Sequence, residues 1–188
     1  MSFACQWRRF RRLDRTWGPT PGVREAWHAG RRWYHVWVLR VDDPAIQDRR
    51  DTVAAALAPY VVPFSVGTPH VTAWVAGWSP PPQHPPAGTD VPVVVGAVNA
   101  FASCPFLEVR APALRPLRAA FGGTEERWGG FLPHLTVGRF AGDTPVGDLL
   151  PRLRAFRRLP PLRATARLVP AWVDALREDG ELSYDQPS

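Results

Sequence analysis

Apolar residues along this chain gather in short blocks that proline repeatedly interrupts, so the predicted elements are brief and numerous. Residues 33–41, WYHVWVLRV, are aromatic and β-branched enough to predict a strand. Asp43 then offers an N-cap and Pro44 a first helical position. Ile46, Val53 and Leu57 follow at i, i+7 and i+11, with Arg49, Arg50 and Asp51 between them, predicting a helix over 44–58 that Pro59 ends. TPHVTAWVAGW, 68–78, reads as a strand, and SPPPQHPPAGTDVP, 79–92, as an exposed loop. VVVGAVNAF and FLEVR predict two strands joined around Ser103 to Pro105. Leu114, Leu117 and Phe121 predict a helix over 112–121 closed by Gly122 and Gly123, with Pro116 pushing its start past Pro112. LPHLTVGRF, 132–140, is a further strand. Thr144 and Pro145 open a helix carrying Val146, Leu149, Leu150, Leu153 and Phe156 on one face. RATARLVPAWVDAL and ELSYD flank REDG as a hairpin. Ahead of all these, residues 1–32 are rich in Arg and Trp, with a short helix expected near Gly22 to Ala29 and stopped by Gly30.

A weak repeat runs through this order. Strand 33–41, helix 44–58 and the strand of His70 match strand 106–110, helix 112–121 and the strand of His134. Strand, helix, His-x-Thr strand occurs twice, which predicts two lobes holding the two His-x-Thr strands in equivalent positions.

Composition narrows the chemistry. The 188 residues suit one domain with a real core. All 23 basic residues are Arg. Without lysine there is no P-loop lysine, no Schiff base and no lysine-borne adenylyl group. Residues 1–40 hold nine Arg against Asp14 and Glu25, whereas residues 41–188 hold 14 Arg against 15 acids. The basicity therefore belongs to an arm, residues 1–32, and not to the body, residues 33–188. No apolar run is long enough to span a membrane. The N-terminus lacks the apolar core of a secretory signal, and Cys5 and Cys104 stand apart as free thiols, so a cytoplasmic monomer is expected.

In a strand, residues i and i+2 face the same way. His70 then shares a face with Thr72, and His134 with Thr136, while Val71 and Leu135 point to the other side. Two such pairs across a cleft would supply two imidazoles titrating near neutrality and two hydroxyl donors. One imidazole can act as general base and the other as general acid, with the hydroxyls on an anionic oxygen. A phosphodiester fits this arrangement, and neither a metal nor another cofactor is required.

The residues HVTAWVAG and PHLTVGR resemble the two H-x-[ST] motifs of the two-histidine phosphoesterases, a superfamily that includes the 2′-5′ RNA ligase and cyclic phosphodiesterase proteins. The first keeps His70, Thr72 and Gly77; the second matches through Arg139; the 163–185 hairpin, with Gly180 and Tyr184, resembles the family's C-terminal end. The resemblance covers about residues 33–186 and departs at Trp74 and Ala76, where aliphatics are usual. It implies an α+β, bilobal fold: two antiparallel-sheet lobes with outer helices and a central cleft. It further implies a metal-independent phosphodiesterase with His70 and His134 as the acid–base pair and Thr72 and Thr136 as phosphate ligands. The substrate would be a 2′,3′-cyclic phosphate or a 2′-5′-linked nucleotide or RNA 3′ end, with the ATP-independent reverse ligation open to some members. The alternative is a non-catalytic nucleotide- or RNA-binding protein that uses the same cleft.

Other side chains have rival explanations. Arg139 could curl toward the phosphate or lie on the surface, and we group it and Trp74 with the substrate-binding residues. Trp33, Tyr34, Trp74 and Phe140 could stack on a base, although core packing is the commoner role at such spacings. His35 suits an interior or edge position, His84 a solvated loop, and His28 has no evident partner. GGTEERWGG reads as a loop before the second motif, in position to flap over the cleft. Arg8, Arg9, Arg11 and Arg12, interleaved with Trp7 and Phe10, could contact RNA; the plainer alternatives are packing on the body or a soluble tail.

Overall fold

A computed structural model describes residues 2–18, 23–63, 69–78, 88–120, 131–176 and 182–184. Loop 79–87 with His84, the GGTEERWGG stretch and the REDG turn lie outside the described residues.

The protein is mixed α+β. Its elements run α1 (Phe3–Phe10), α2 (Val23–His28), β1 (Trp33–Arg40), α3 (Pro44–Leu57), β2 (Val61–Pro63), β3 (His70–Gly77), β4 (Asp90–Ala100) and β5 (Pro105–Arg110). There follow α4 (Leu114–Ala120), β6 (His134–Thr136), β7 (Gly138–Phe140), α5 (Val146–Ala155), β8 (Leu162–Asp174) and β9 (Leu182–Ser183). Strands β1, β3, β6, β5, β4 and β8 pair in that order, and β8 returns to pair with β1. Six strands thus close into a barrel-like sheet, all pairings antiparallel, with β9 added alongside β8. Closure leaves few unpaired edges. Among the described residues no helix is long and apolar enough to cross a membrane.

Local chemistry sets the helix positions. Asp43 caps α3 by accepting the Ile46 N–H at 3.0 Å, and Pro44 occupies the first turn. The predicted stripe Ile46, Val53 and Leu57 is fully buried beneath that helix. Pro116 falls in the first turn of α4, where its missing N–H costs no helical bond. On α5, Val146, Leu149 and Leu153 are buried, and Leu150 and Phe156 pack beside them. These helices and one face of the sheet share a single core that includes Leu39, Val71, Leu107 and Leu135.

Two expected boundaries move. β4 starts at Asp90, inside the stretch read as loop, and carries Pro92 opposite Thr165. Pairing with β5 begins only at Val94, so at Pro92 one flank of the strand is open and tolerates proline. The run 132–140 is not one strand: it breaks at Val137, and β7 leaves to form a separate two-stranded sheet with β2. Gly138 makes that approach possible, since a Cβ there would lie 2.5 Å from the Val62 carbonyl oxygen.

The basic N-terminal segment is docked on the body. Phe10 is fully buried and stacks on Phe140, Gln6 donates to the Ala100 carbonyl at 2.7 Å, and Thr16 Oγ1 accepts the Thr144 N–H at 3.0 Å. Further along, Trp27 of α2 packs against Tyr34 and Trp78 in a smaller core with Val36, Val38 and Ala171.

Gly138→Ala is expected to lower stability by about 1–3 kcal/mol, because backbone and not a pliable side chain must yield. A fall in the urea midpoint with unchanged slope checks this; an unchanged midpoint refutes the tight β2–β7 contact.

Candidate active site

β3 and β6 meet through one register point, Val71 opposite Leu135. Both side chains are fully buried in the main core. In an antiparallel ladder the flanking residues are opposed in reverse order, so His70 lies across from Thr136 and Thr72 across from His134. All four therefore project from the face opposite the main core, and all four are half-buried. His70 and His134 occupy diagonal positions of this two-by-two patch, which separates their Cα atoms by about 7–8 Å.

The two halves of the patch have unequal neighbours. Glu108 of β5 stands opposite His134, and Arg40 of β1 stands opposite His70. The Glu108 carboxylate is taken up by Arg157, and its Oε1 also accepts from Asn99 Nδ2 at 2.8 Å. Arg40 pairs with the exposed carboxylate of Asp42, at 2.8 Å, and lies near the Tyr184 ring. Exposed pairs of that kind contribute little and give way readily to a better anion.

His134 is the better defined imidazole. Phe101 and Phe106 meet it edge-on at 4.9 and 5.2 Å between ring centroids. Its Nδ1 lies 2.8 Å from the Leu132 carbonyl oxygen, which can only accept, so Nδ1 carries the proton and Nε2 the lone pair. Burial pushes its pKa below the ordinary histidine value, only partly opposed by that hydrogen bond. Near neutral pH it is thus an uncharged base with a fixed tautomer.

The other sequence candidates scatter. Trp74 would share the face of His70 by simple alternation, but β3 bulges there: Val38 pairs with Thr72 and Trp37 with Trp74. The extra residue turns Trp74 into the main core, 4% exposed, so it does not join the histidine face. A second irregularity follows before Gly77, whose φ of 89° suits glycine. Arg139 sits on β7 opposite Val62, in the other sheet. Tyr34 and Phe140 are buried in cores, and Trp33 lies on the reverse face of β1 beneath the Arg32 guanidinium. His35 is on that reverse face too, edge-on to Trp172. His28 caps its own helix by accepting the Gly30 N–H at 3.0 Å. Among the described residues no group of three or more His, Cys, Asp or Glu side chains is placed to hold a metal ion.

Sequence reading missed Arg40, Phe101, Phe106 and Glu108. Each belongs to the site by cross-strand register or ring contact, for which the local sequence carries no signal. No family model and no curated protein matches the chain.

Because folding lowers the His134 pKa, the unfolded chain binds its proton more tightly than the native state. The stability this group contributes is intact above about pH 6.5 and declines as pH falls through the lower, folded value. His35 is shifted the same way by burial and adds to the decline. Urea unfolding at about pH 7 and about pH 5 should show a weaker protein at the lower pH, with His134→Gln losing less than wild type. Equal losses in both proteins would contradict the buried neutral imidazole.

Proposed function

We propose that the protein is a metal-independent phosphodiesterase that opens a 2′,3′-cyclic phosphate, or a related 2′-linked phosphodiester, at a nucleotide or RNA 3′ end. The observation that carries this reading is the Val71–Leu135 pairing, from which two His-Thr pairs follow on one sheet face with their imidazoles diagonal to each other. The two strand–helix–strand units also meet there with local two-fold character, which supports the bilobal two-histidine phosphoesterase reading of the fold.

The tautomer of His134 distinguishes two otherwise similar histidines. With Nδ1–H held by Leu132, Nε2 of His134 accepts a proton from the attacking water. The water oxygen forms a bond to phosphorus as the bond to the 2′ (or 3′) oxygen breaks. His70, entering as the imidazolium, gives its proton to that departing oxygen. The products are a phosphomonoester and a free hydroxyl, and the two imidazoles have exchanged protonation states. Thr72 and Thr136 donate to the non-bridging oxygens, and Arg40 adds a positive charge on the His70 side. Acid, base and anion ligands all come from this one patch, so the step draws on no further group.

Hydrolysis of a panel of 2′,3′-cyclic nucleotides and 2′-5′ dinucleotides in EDTA tests the reading. Wild type should turn over, and His70→Ala and His134→Ala should each fall by about 10²–10⁴-fold. Full activity in either variant would refute it; binding without turnover in wild type would favour a non-catalytic nucleotide-binding role.

The pH dependence of kcat/KM should be bell-shaped, with the acid limb set by His134 and its midpoint below about 6.5. A flat profile between about pH 5 and 8 would argue against paired imidazoles.

A further inference from the structure

We propose that the solvent face of α1, with Trp17 beyond it, is a single-stranded RNA-binding surface that receives the strand leading away from the histidine patch. The patch as the place where the RNA end reacts rests on the phosphodiesterase reading; the surface itself does not.

Phe3, Gln6, Trp7, Phe10 and Leu13 face the body, and Arg8, Arg9, Arg11 and Arg12 are all exposed. Arg8 and Arg9 lie in the last turn of α1, Arg11 is its C-cap, and Arg12 follows in the turn beyond it. Of the other arginines, Arg15, Arg32, Arg40, Arg50, Arg157 and Arg167 each hold a carboxylate, while Arg110, Arg115, Arg154, Arg158 and Arg163 are exposed on the body without one among the described residues. Among the described residues the side chains of Arg8, Arg9, Arg11 and Arg12 have no hydrogen bond, ion pair or ring contact. Cations do favour a helix C-terminus, but only by about 0.3–1 kcal/mol and only within the last turn, which one or two would satisfy. Four such charges within five residues, at the end of α1 and just beyond it, repel one another and invite a polyanion.

The position of the helix selects the polyanion. Asn99 donates to the Phe3 carbonyl at 2.9 Å and to Glu108, the residue opposite His134. The Phe3 ring lies 6.4 Å from Phe106, which in turn meets His134. α1 therefore begins one aromatic ring from the imidazole and carries its arginines outward along about 12 Å of helix. Trp17 is 57% exposed, and its backbone N–H donates to the Ala102 carbonyl at 2.7 Å, beside Phe101, which also touches His134. Guanidinium groups for a backbone and an exposed indole for a base form the pairing that single-stranded nucleic acids use. An acidic protein would use the charges but not the junction with a phosphate site.

The test is fluorescence anisotropy of labelled oligouridylate, measured against salt, in a His134→Ala background so that no turnover intervenes. The protein with α1 intact should bind with a steep salt dependence. Replacing Arg8, Arg9, Arg11 and Arg12 together by Gln should flatten the log–log slope by about 2.8, at about 0.7 for each single-strand phosphate no longer neutralised. Trp17→Ala should weaken binding several-fold with the slope unchanged. Replacing Arg110, Arg154, Arg158 and Arg163 by Gln removes the same charge from the body and should leave affinity within about twofold. Circular dichroism melts establish that each variant is folded. The proposal is overturned if the α1 variant binds as the unsubstituted helix does, if the body variant weakens equally, or if phosphatidylserine vesicles are bound in preference to RNA. Hydrolysis of the panel of 2′,3′-cyclic nucleotides and 2′-5′ dinucleotides by the unsubstituted protein is scored separately. Its absence would sink the phosphodiesterase reading and leave the α1 result standing.

Discussion

Val71 and Leu135 touch the same core and each other's strand, and their pairing fixes what faces the opposite way. Strand side chains alternate with a period of two, so a slip of one residue would drive an imidazole into the apolar layer and bring Val71 or Leu135 out of it. Each of these buried side chains is worth about 1.5–3 kcal/mol relative to exposure. The hydrophobic effect thus holds the histidine geometry without touching a histidine. The neighbouring ladders share the constraint: Leu39 lies beside Val71, and Leu107 beside Leu135, all fully buried.

Around this axis the two halves are alike in backbone and unlike in charge. Arg40 and Glu108 hold corresponding places beside His70 and His134. The Glu108 charge would favour an imidazolium at His134 if it stood alone, but Arg157 and Asn99 absorb it. Burial then dominates, and His134 stays neutral. A duplicated frame has in this way become directional, with a neutral imidazole on one strand and an arginine, paired with Asp42, beside the imidazole of the other.

Much of this was legible in the chain because its cues are local. The Asp43-Pro44 start, the Ile46-Val53-Leu57 stripe and the doubled His-x-Thr frame each depend on residues close in sequence. What escaped depends on distant partners. Trp74 follows His70 at an even spacing, and only the β1 register reveals the bulge that sends it inward. Arg139 sits in an apparently continuous strand that ends because Gly138 can nestle against Val62. Asp90 to Pro92 looks like loop until β8 supplies a partner. The arm hides its docking face among arginines: Phe3, Gln6 and Phe10 form a stripe whose receptor, Asn99 to Phe106 and Phe140, lies about a hundred residues away.

The anchoring of the Phe3 carbonyl by Asn99 has a practical side. Phe3, at the start of α1, lies one aromatic ring from His134. A purification tag fused ahead of that helix would be tethered close to the histidine patch, and a polyhistidine tag would add competing imidazoles and bound nickel near it. Tyr184, at the other end of the described chain, lies by Arg40 across from His70, so preparations that differ only in tag placement need not behave alike.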